Sequence, residues 1–234
     1  MPTSSEAVVF SPNDDGVREK RERAAQACAE YNTLSRHTTA SFRNCAFMMT
    51  INLQLKPETR IASAPTVLPP FHVDYGECVS IHHTVSIDSN CRIVDTPVAN
   101  VVIRKYCIIG PNVTISSAGP PPSQLIEERL ERGEREMTGS SIDIGERVWI
   151  GASAVIGPGV TIGNGATIAA GAVVLDDMPP NSKVRGNPAT FVSEEFHKTE
   201  PAKREDHPSP SILTLEKKVE HIDEDDYDPY YWSF

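Results

Sequence analysis

His83 and Asp88 are the two side chains in the central part of the chain that best suit general-base chemistry. They lie five residues apart, and the next histidine along the chain is His197. An imidazole, or a carboxylate whose pKa is raised by burial, can remove a proton from a hydroxyl group. A second interpretation stays open, because Asp88 is followed by Ser89 and Asn90, and such a polar cluster is also typical of a solvated surface.

The elements that must position these residues are indicated by a six-residue repeat. Residues 142–177 read IDIGER, VWIGAS, AVIGPG, VTIGNG, ATIAAG and AVVLDD, with Ile or Val at the third place and a small or branched apolar residue at the first. This period matches neither a helix nor an ordinary strand and is typical of a β-helix, in which three hexads close one triangular coil. We expect the glycines that follow the third place to provide corner angles that other residues resist. They are Gly145, Gly151, Gly157 and Gly163.

The same period returns at residues 79–93 and 101–115, with three hexads in each block. Added to the six of 142–177 they make twelve hexads, enough for about four coils. A short insertion at about 96–100 and a long one at about 117–141 separate the blocks. Insertions in a solenoid form surface loops, and long loops are often functional. The strict six-residue phase favours this fold over the alternative, a β-sandwich with evenly spaced strands, because sandwich strands do not keep one period.

Two helices are predicted ahead of the coils, within residues 17–56. The stretch VREKRERAAQACAEYN is rich in Ala, Glu and Arg and suits a helix that ends near Asn32. SFRNCAFMMTINLQL suits a shorter, more apolar helix that ends before Pro57. We expect this pair to cover the first coil of a β-helix that spans 57–192, because the end of a solenoid exposes its core. Residues 1–16 are predicted to be disordered.

The overall composition restricts the possible partners. The net charge is −10 at pH 7, much of it from 193–234, which is acidic and which we predict to be mostly disordered. This balance argues against nucleic acid as a partner. No apolar run of about eighteen residues would span a membrane. The N-terminus lacks a basic region followed by an apolar stretch, so we expect no membrane and a cytoplasmic protein.

The five cysteines show no spacing typical of a metal site or a disulfide framework. Cys91 and Cys107 fall on inward places of the hexads, where a reduced thiol packs as a small apolar side chain. We therefore interpret all five as structural and predict no metal. They are Cys28, Cys45, Cys78, Cys91 and Cys107.

Four stretches carry a resemblance to a known family, the left-handed β-helix acyltransferases, in the branch of maltose, galactoside and nodulation-protein O-acetyltransferases. The resemblance covers about residues 17–192 and implies left-handed coils, a homotrimer, and acetyl-CoA as co-substrate in each cleft between neighbouring subunits. The stretches are PPFHVDYG at 69–76, IGPNVTI at 109–115, IGERVWIG at 144–151 and DDMPPNSKVRGNPA at 176–189.

The resemblance also implies a set of cofactor-binding residues. In this family the pantetheine arm lies along the coils and is held largely by backbone groups, so repeats with small side chains leave room for it. Trp149 would line the cleft, and Lys183 and Arg185 would meet the phosphates, unless they are only solvated surface charges. The family usually closes with GNPAR, whereas this chain has Thr190 in place of the last cation. The small residues are Ala152, Ala169 and Ala170.

The catalytic side departs from the family. Its base is a histidine in the long loop, but Pro120 stands at that position and residues 117–141 contain no histidine. Asp88 matches an asparagine of the family's acceptor site. Asp88 and His83 are therefore our candidates for the catalytic group.

The acceptor-binding candidates are Asp74, Tyr75 and Glu136. Asp74 and Tyr75 keep their family positions in the DYG sequence, and we expect them to contact the acceptor or brace its entrance. Glu136 stands beside Met137, which replaces a glutamate of the family. Asp95 also keeps its position, and its simplest role is to cap a turn.

These features predict an acetyl-CoA-dependent O-acetyltransferase that acts on a hydroxyl of a small molecule. The three prolines at 120–122 indicate an unusual acceptor pocket, so we expect a specialised metabolite of secondary metabolism rather than a simple sugar. An acidic hydroxyl, such as a phenol, needs less help from a base. The alternatives are a catalytically inactive trimer that binds CoA or serves as a scaffold, and a CoA-independent enzyme recruited from the same fold.

Overall fold

The computed structural model describes residues 7–35, 37–51, 64–120 and 136–192. The helices in these ranges are α1 (Asp15–Asn32) and α2 (Ala40–Ile51). In the described part of the chain, neither helix has the length and apolar character that crossing a membrane requires. Three predicted features lie wholly or largely outside the described residues, namely the end of the second helix at 52–56, the long loop over 121–135, and the acidic tail at 193–234.

Short parallel strands stack into three faces, which the chain visits in turn. Face 1 contains β2 (Thr66–Val67), β5 (Ser86–Ile87), β8 (Ile108–Ile109), β13 (Trp149–Ile150), β16 (Thr167–Ile168) and β18 (Lys183–Arg185), with β19 (Thr190–Phe191) antiparallel at its end. Face 2 contains β3 (Phe71–Val73), β6 (Cys91–Val94), β9 (Thr114–Ser116), β14 (Val155–Ile156) and β17 (Val173–Val174). Face 3 contains β4 (Val79–Ile81), β7 (Val101–Ile103), β12 (Ile142–Ile144) and β15 (Thr161–Ile162).

This arrangement confirms the predicted parallel β-helix and shows that it is longer than four coils. Face 2 has five strands, and a parallel bridge between Ile162 and Met178 completes the fifth coil at face 3. The additional coil begins with residues 66–73, which form two strands although the six-residue repeat is not yet recognisable there.

The hexad pattern forms the core of the helix. In residues 142–177, every first and third place is at most 2% exposed. Ile150 lies in register between Ile109 of the coil before and Ile168 of the coil after, so equivalent side chains stack along the axis. Burial of each such Ile or Val side chain contributes about 1.5–3 kcal/mol to the free energy of unfolding, and every strand of the repeat buries one.

Three corners join the faces. The first corner joins face 1 to face 2, the second joins face 2 to face 3, and the third joins face 3 to the next face 1. None of the four predicted corner glycines has a positive φ; at the first corner, the left-handed residues are Asn90, Asn112, Ser153, Gly171 and Gly186. Gly151 is required for close approach instead, since an added Cβ would lie 2.5 Å from the backbone nitrogen of Ala170 in the next coil.

Helix α1 covers the open end of the first coil, as the sequence predicted. The Tyr31 hydroxyl donates to the Val67 carbonyl at 2.6 Å, and burial raises the pKa of Tyr31 to about 12, which keeps the hydroxyl protonated. The Asn32 amide both accepts from the Phe71 N–H and donates to the Phe71 carbonyl. These side chains satisfy backbone groups that the first strands would otherwise leave unpaired. Phe47 of α2 packs against Tyr31 and Phe71.

A small antiparallel sheet lies beside the second corner. It consists of β10 (Ala118–Gly119), β11 (Met137–Gly139) and β1 (Val8–Phe10), in the order β1-β11-β10. β10 and β11 are the two ends of the long insertion. The structure differs here from the expectation of disorder over 1–16, because β1 pairs with β11 and α1 already begins at Asp15. Cross-strand pairing orders a segment that has no repeat of its own.

Candidate active site

The first corner forms a row of small residues that runs through successive coils. The Asp88 N–H donates to the Ile109 carbonyl, and Gly110, Gly151 and Ala169 repeat this bond to the coil that follows. Ala152 and Ala170 come next in the chain and occupy the same corner. The candidate catalytic residue Asp88 therefore stands at the head of the row that contains the predicted pantetheine-binding alanines.

Asp88 is half-buried and its orientation is fixed locally. Its Oδ1 accepts a hydrogen bond from the Ser89 N–H at 2.6 Å. In the described ranges, Oδ2 makes no hydrogen bond, so this oxygen can accept a proton from a bound molecule. In this geometry one carboxylate oxygen fixes the orientation of the side chain, and the other is available to accept a hydrogen bond or a proton.

Trp149, which is predicted to line the cofactor cleft, and the predicted phosphate-binding cations lie on face 1, beside the first corner. Trp149 projects from β13 with 46% of its surface exposed, and its neighbours in register are Ile108 and Thr167. Lys183 follows Thr167 in register, about 10 Å from Trp149 at the spacing of two strands. Arg185 lies at the end of β18, where the chain enters the first corner. Thr190, the residue in place of the family's last cation, lies opposite Arg185 in the β18–β19 pair, and its hydroxyl donates to the Arg185 carbonyl at 3.4 Å.

His83 lies at the third corner, at the other end of β5 from Asp88. It is exposed, and its ring stacks on that of His82 with centroids 4.3 Å apart. The His82 ring in turn contacts the Thr84 hydroxyl at 2.9 Å. The structure thus separates the two catalytic candidates, and only Asp88 shares a corner with the small-residue row.

The second corner is organised around Asp95. This carboxylate is 1% exposed and accepts three backbone hydrogen bonds, at 2.9 Å from Asp74, 2.9 Å from Tyr75 and 2.8 Å from Gly76. Desolvation raises the pKa of Asp95, and the three donors offset part of that rise. Asp95 does more than cap its own turn, because it fixes the DYG segment of the preceding coil.

Asp74 is clamped between two arginines. Its Oδ2 lies 3.0 Å from Arg21 of α1, and its Oδ1 lies 3.1 Å from Arg92 of β6. Beside this clamp is a cavity of about 350 Å³ between α1 and face 2, whose lining includes Arg21, His72, Asp74 and Arg92. Asp74 therefore lines the cavity, and both of its carboxylate oxygens are already paired with arginines that line the same cavity.

Glu136 and Tyr75 occupy different settings around the same helix. Glu136 lines a cleft of about 690 Å³ together with Arg18 and Arg21 of α1. Tyr75 is 4% exposed and packs edge-on against Phe10 of β1. Arg21 is thus common to the cavity of Asp74 and the cleft of Glu136, whereas Tyr75 supports the wall instead of facing open space.

Pro120 follows β10 and is exposed at the second corner. Its carbonyl accepts a hydrogen bond from the Thr138 hydroxyl at 2.9 Å, which ties the start of the insertion to its end. The Ser117 hydroxyl donates to Thr96 at 3.3 Å in the coil below. The position expected for a histidine is therefore rigidly placed but carries a side chain that cannot exchange a proton.

Sequence reasoning missed Arg21 and Arg92. A signal for both was present, since Ala24, Cys28 and Tyr31 form the buried side of α1 and Arg21 precedes Ala24 by three residues, on the same side. Arg92 occupies the outward second place of its hexad, directly beside His72 in register.

The comparisons with known proteins agree with this geometry. Residues 141–176 match the family model "Bacterial transferase hexapeptide (six repeats)". Nodulation protein L of Rhizobium meliloti (strain 1021) is 41% identical over 129 residues, which is 55% of this chain and 67% of that protein.

Two solved structures extend the similarity to the helices and coils together. A maltose O-acetyltransferase from Clostridium difficile 630 superposes with a TM-score of 0.66 at 25% identity, over 81% of this chain and 92% of that one. Galactoside acetyltransferase in complex with coenzyme A gives a TM-score of 0.62 at 30% identity, over 79% of this chain and 85% of that one. The predicted left-handed β-helix with its preceding helices is thereby confirmed.

Proposed function

Because this chain belongs to the hexapeptide-repeat acetyltransferase family, we propose that it transfers the acetyl group of acetyl-CoA to a hydroxyl of a small molecule. The observation that carries the proposal is the small-residue row of the first corner, which leads from Arg185 through Ala169 and Gly151 to Asp88. Galactoside acetyltransferase, which shares the fold, is known in complex with coenzyme A.

The row provides a track for the pantetheine arm. The three alanines, Ala152, Ala169 and Ala170, leave the backbone of the corner accessible, and a narrow chain of methylene and amide groups needs such a surface. Trp149 supplies an apolar wall beside the track, and Lys183 and Arg185 supply cations for phosphate at its far end. Bound in this direction, the thioester would lie near Asp88.

The transfer itself requires one proton to move. The Asp88 carboxylate takes the proton of the acceptor hydroxyl as the oxygen attacks the thioester carbonyl carbon. The carbon–sulfur bond then breaks, the CoA sulfur leaves as a thiolate, and it recovers that proton from Asp88. A carboxylate is a weaker base than the histidine that Pro120 replaces, so an acidic hydroxyl, such as that of a phenolic specialised metabolite, is the best acceptor.

The acceptor side of the site is the second corner together with α1. Asp74, Arg21 and Glu136 border the adjoining cavity and cleft and provide both donors and acceptors of hydrogen bonds. Tyr75 braces this wall from behind. Such a mixed lining is typical of small-molecule sites.

We include in the proposal a homotrimer and a cytoplasmic location. Face 1 exposes Ile108 and Trp149, 55% and 46% accessible, beside Tyr106, 57% accessible. A second copy of the chain would cover this apolar surface and close the cofactor cleft. The cysteines are all thiols, and the buried Cys28, Cys91 and Cys107 fit a reducing compartment.

One observation favours a second candidate, a CoA-binding protein without turnover. Residues 117–141 contain no histidine, and Pro120 stands where the resemblance places the base. Loss of a general base typically costs about 10²- to 10⁴-fold in rate. In that case the cofactor track would serve binding alone.

The test is to incubate the purified full chain with acetyl-CoA and a panel of sugars, phenols and hydroxy acids, and to measure thiol release. The binding of CoA is measured in parallel by calorimetry. Acceptor-dependent thiol release supports the transferase. CoA binding without release supports the second candidate, and the absence of both would reject the proposed function altogether.

A further inference from the structure

Arg21 and Arg92 converge on one carboxylate and have donors to spare. Each reaches Asp74 through a single terminal nitrogen, at 3.0 and 3.1 Å. A guanidinium group carries five N–H donors, so one contact uses a small part of its capacity. The two side chains are 55% and 52% exposed. Their remaining donors can therefore reach a molecule in the cavity between α1 and face 2.

The charges that line this cavity do not balance. Two guanidinium groups face the single carboxylate of Asp74, and the His72 imidazole stands beside Arg92 in register. The other wall is formed by small side chains of α1, Ala25 and Ala29, which leave the cations uncovered. An anionic group in the cavity would complete a square of alternating charges with the two arginines and Asp74.

The other neighbouring acidic groups lie outside the lining of this cavity. Asp95 is buried behind Asp74, and its oxygens are occupied by three backbone N–H groups. Glu22 and Glu136 line the adjacent cleft together with Arg18, which also pairs with Asp15 at 3.7 Å. Lys20 and Arg23 are both paired with Glu77.

The cavity lies within reach of the candidate catalytic group. Arg92 follows Asp88 by four residues on the same coil, so their Cα atoms are at most about 13 Å apart at the rise of an extended strand. The Arg92 guanidinium is held by Asp74 on the far side of this span. A molecule that extends along face 2 can present a hydroxyl to Asp88 and an anion to Arg92.

We propose that Arg21 and Arg92 bind an anionic group of the acceptor, so that the substrate is a hydroxylated carboxylic acid or phosphate ester. This inference rests on the proposed function and specifies its acceptor. Arg92 is then a specificity-determining residue, and Asp74 holds both guanidinium groups in position for the substrate. A bidentate anion bridging two arginines is the arrangement that guanidinium geometry favours.

Matched acceptor pairs provide the test. The full chain is assayed with para-hydroxybenzoate against its methyl ester, and with glucuronate against its methyl ester. We expect a KM for the acids about 10- to 100-fold lower than for the esters, the range of a charge-assisted hydrogen bond. Arg92→Gln removes this preference, and Arg92→Lys restores part of it. Equal KM values for acid and ester in the parent protein, or an unchanged preference in Arg92→Gln, overturn the inference.

The control variant is Arg104→Gln, another exposed arginine in an ion pair with an aspartate, Asp143, but outside the cavity. It should leave the preference intact. Calorimetric binding of the same acids and esters to the CoA-loaded protein separates this inference from the proposed reaction. Acid-selective binding that requires Arg92 supports the subsite even if no acetyl transfer occurs, and its absence rejects the subsite even if transfer occurs.

Titration with inorganic phosphate distinguishes the two sources of an anion. Phosphate that competes with the acids and leaves ester turnover unchanged supports an acceptor subsite. Phosphate binding that depends on Arg92, with no preference between acid and ester, would instead identify a site for a free anion and overturn the proposed substrate class.

Discussion

The first and second corners of the β-helix differ in how regularly the chain passes them. At the first corner the chain always takes four residues from one inward side chain to the next, as from Ile150 to Ala154. At the second corner the same passage takes six residues from Val73 to Val79, eight from Ile93 to Val101 and far more from Ile115 to Ile142, and it returns to four only in the last two coils. The first corner is one surface repeated, whereas the second corner consists of three different loops in the first three coils.

This difference separates two tasks. Under the proposed function, the first corner would hold the long and uniform cofactor arm, which fits a surface that repeats with the coil. The second corner would hold the acceptor, which needs individual donors and acceptors, because each of its first three loops has its own length and its own contacts. Asp95 and Thr96 connect the three loops, the former to Asp74–Gly76 and the latter to Ser117.

The largest effect is expected at the head of the first corner. Asp88→Asn keeps the shape and the contact to the Ser89 N–H but removes the proton acceptor. We expect kcat to fall about 10²- to 10⁴-fold, with little change in CoA affinity or in the free energy of unfolding. The measurement is steady-state thiol release at saturating acceptor.

His83→Ala is the matched variant at the third corner, and it should leave kcat within about twofold, because His83 lies at the far end of β5 from the row. A loss of rate in His83→Ala with normal turnover in Asp88→Asn would reverse the assignment and move the chemistry to the third corner.

The second effect is expected where the loops of the second corner are joined. Asp95→Ala leaves the N–H groups of Asp74, Tyr75 and Gly76 buried without their acceptor. We expect the free energy of unfolding to fall by about 3–5 kcal/mol, because three hydrogen bonds to a charged group are lost. The measurement is urea denaturation, and KM for the acceptor should rise more than Kd for CoA.

Asp143→Ala serves as the comparison, since Asp143 is an exposed partner of Arg104 on face 3 and an exposed ion pair contributes at most about 1 kcal/mol. Equal losses of stability in the two variants would mean that Asp95 does not join the loops.

The contrast also explains what the sequence could predict. The inward places of the hexads were all assigned correctly, because each is repeated in up to five coils and the pattern leaves one register. The contacts of Asp95 with the coil before it could not be predicted, because they join residues about twenty positions apart across loops without a period. Arg21 and Arg92 each occupy a place that the helix and hexad periods define, but their meeting at Asp74 could not be predicted, because a helix and a strand far apart in the chain supply them.

The third effect tests the close stacking of the first corner. Gly151→Ala places a Cβ 2.5 Å from the Ala170 nitrogen and 2.9 Å from the Ala169 carbonyl carbon, both of them backbone atoms. The coils must separate locally, so we expect a loss of about 1–3 kcal/mol and weaker CoA binding. Gly16→Ala in α1 is the control, because its Cβ would meet nothing within 4 Å and the change favours a helix. Unaltered stability and CoA affinity in Gly151→Ala would show that the row is not a packed track.

The last effect is absent at neutral pH and concerns Cys91, whose thiol donates to the Gly110 carbonyl of the first corner at 3.1 Å. Burial raises the pKa of Cys91 from 9.0 to about 11, so the folded state holds this proton more tightly than the unfolded chain does. The protonated thiol therefore contributes fully to the free energy of unfolding below pH 9. This contribution is lost as the pH rises from about 9 to about 11, at up to about 1.4 kcal/mol per pH unit. In urea denaturation across this range, Cys91→Ala should show a shallower decline than the parent protein, and Cys45→Ala, at a half-buried position in α2, should not. The same slope in Cys91→Ala and the parent protein would show that the thiol at the first corner does not control the alkaline loss of stability.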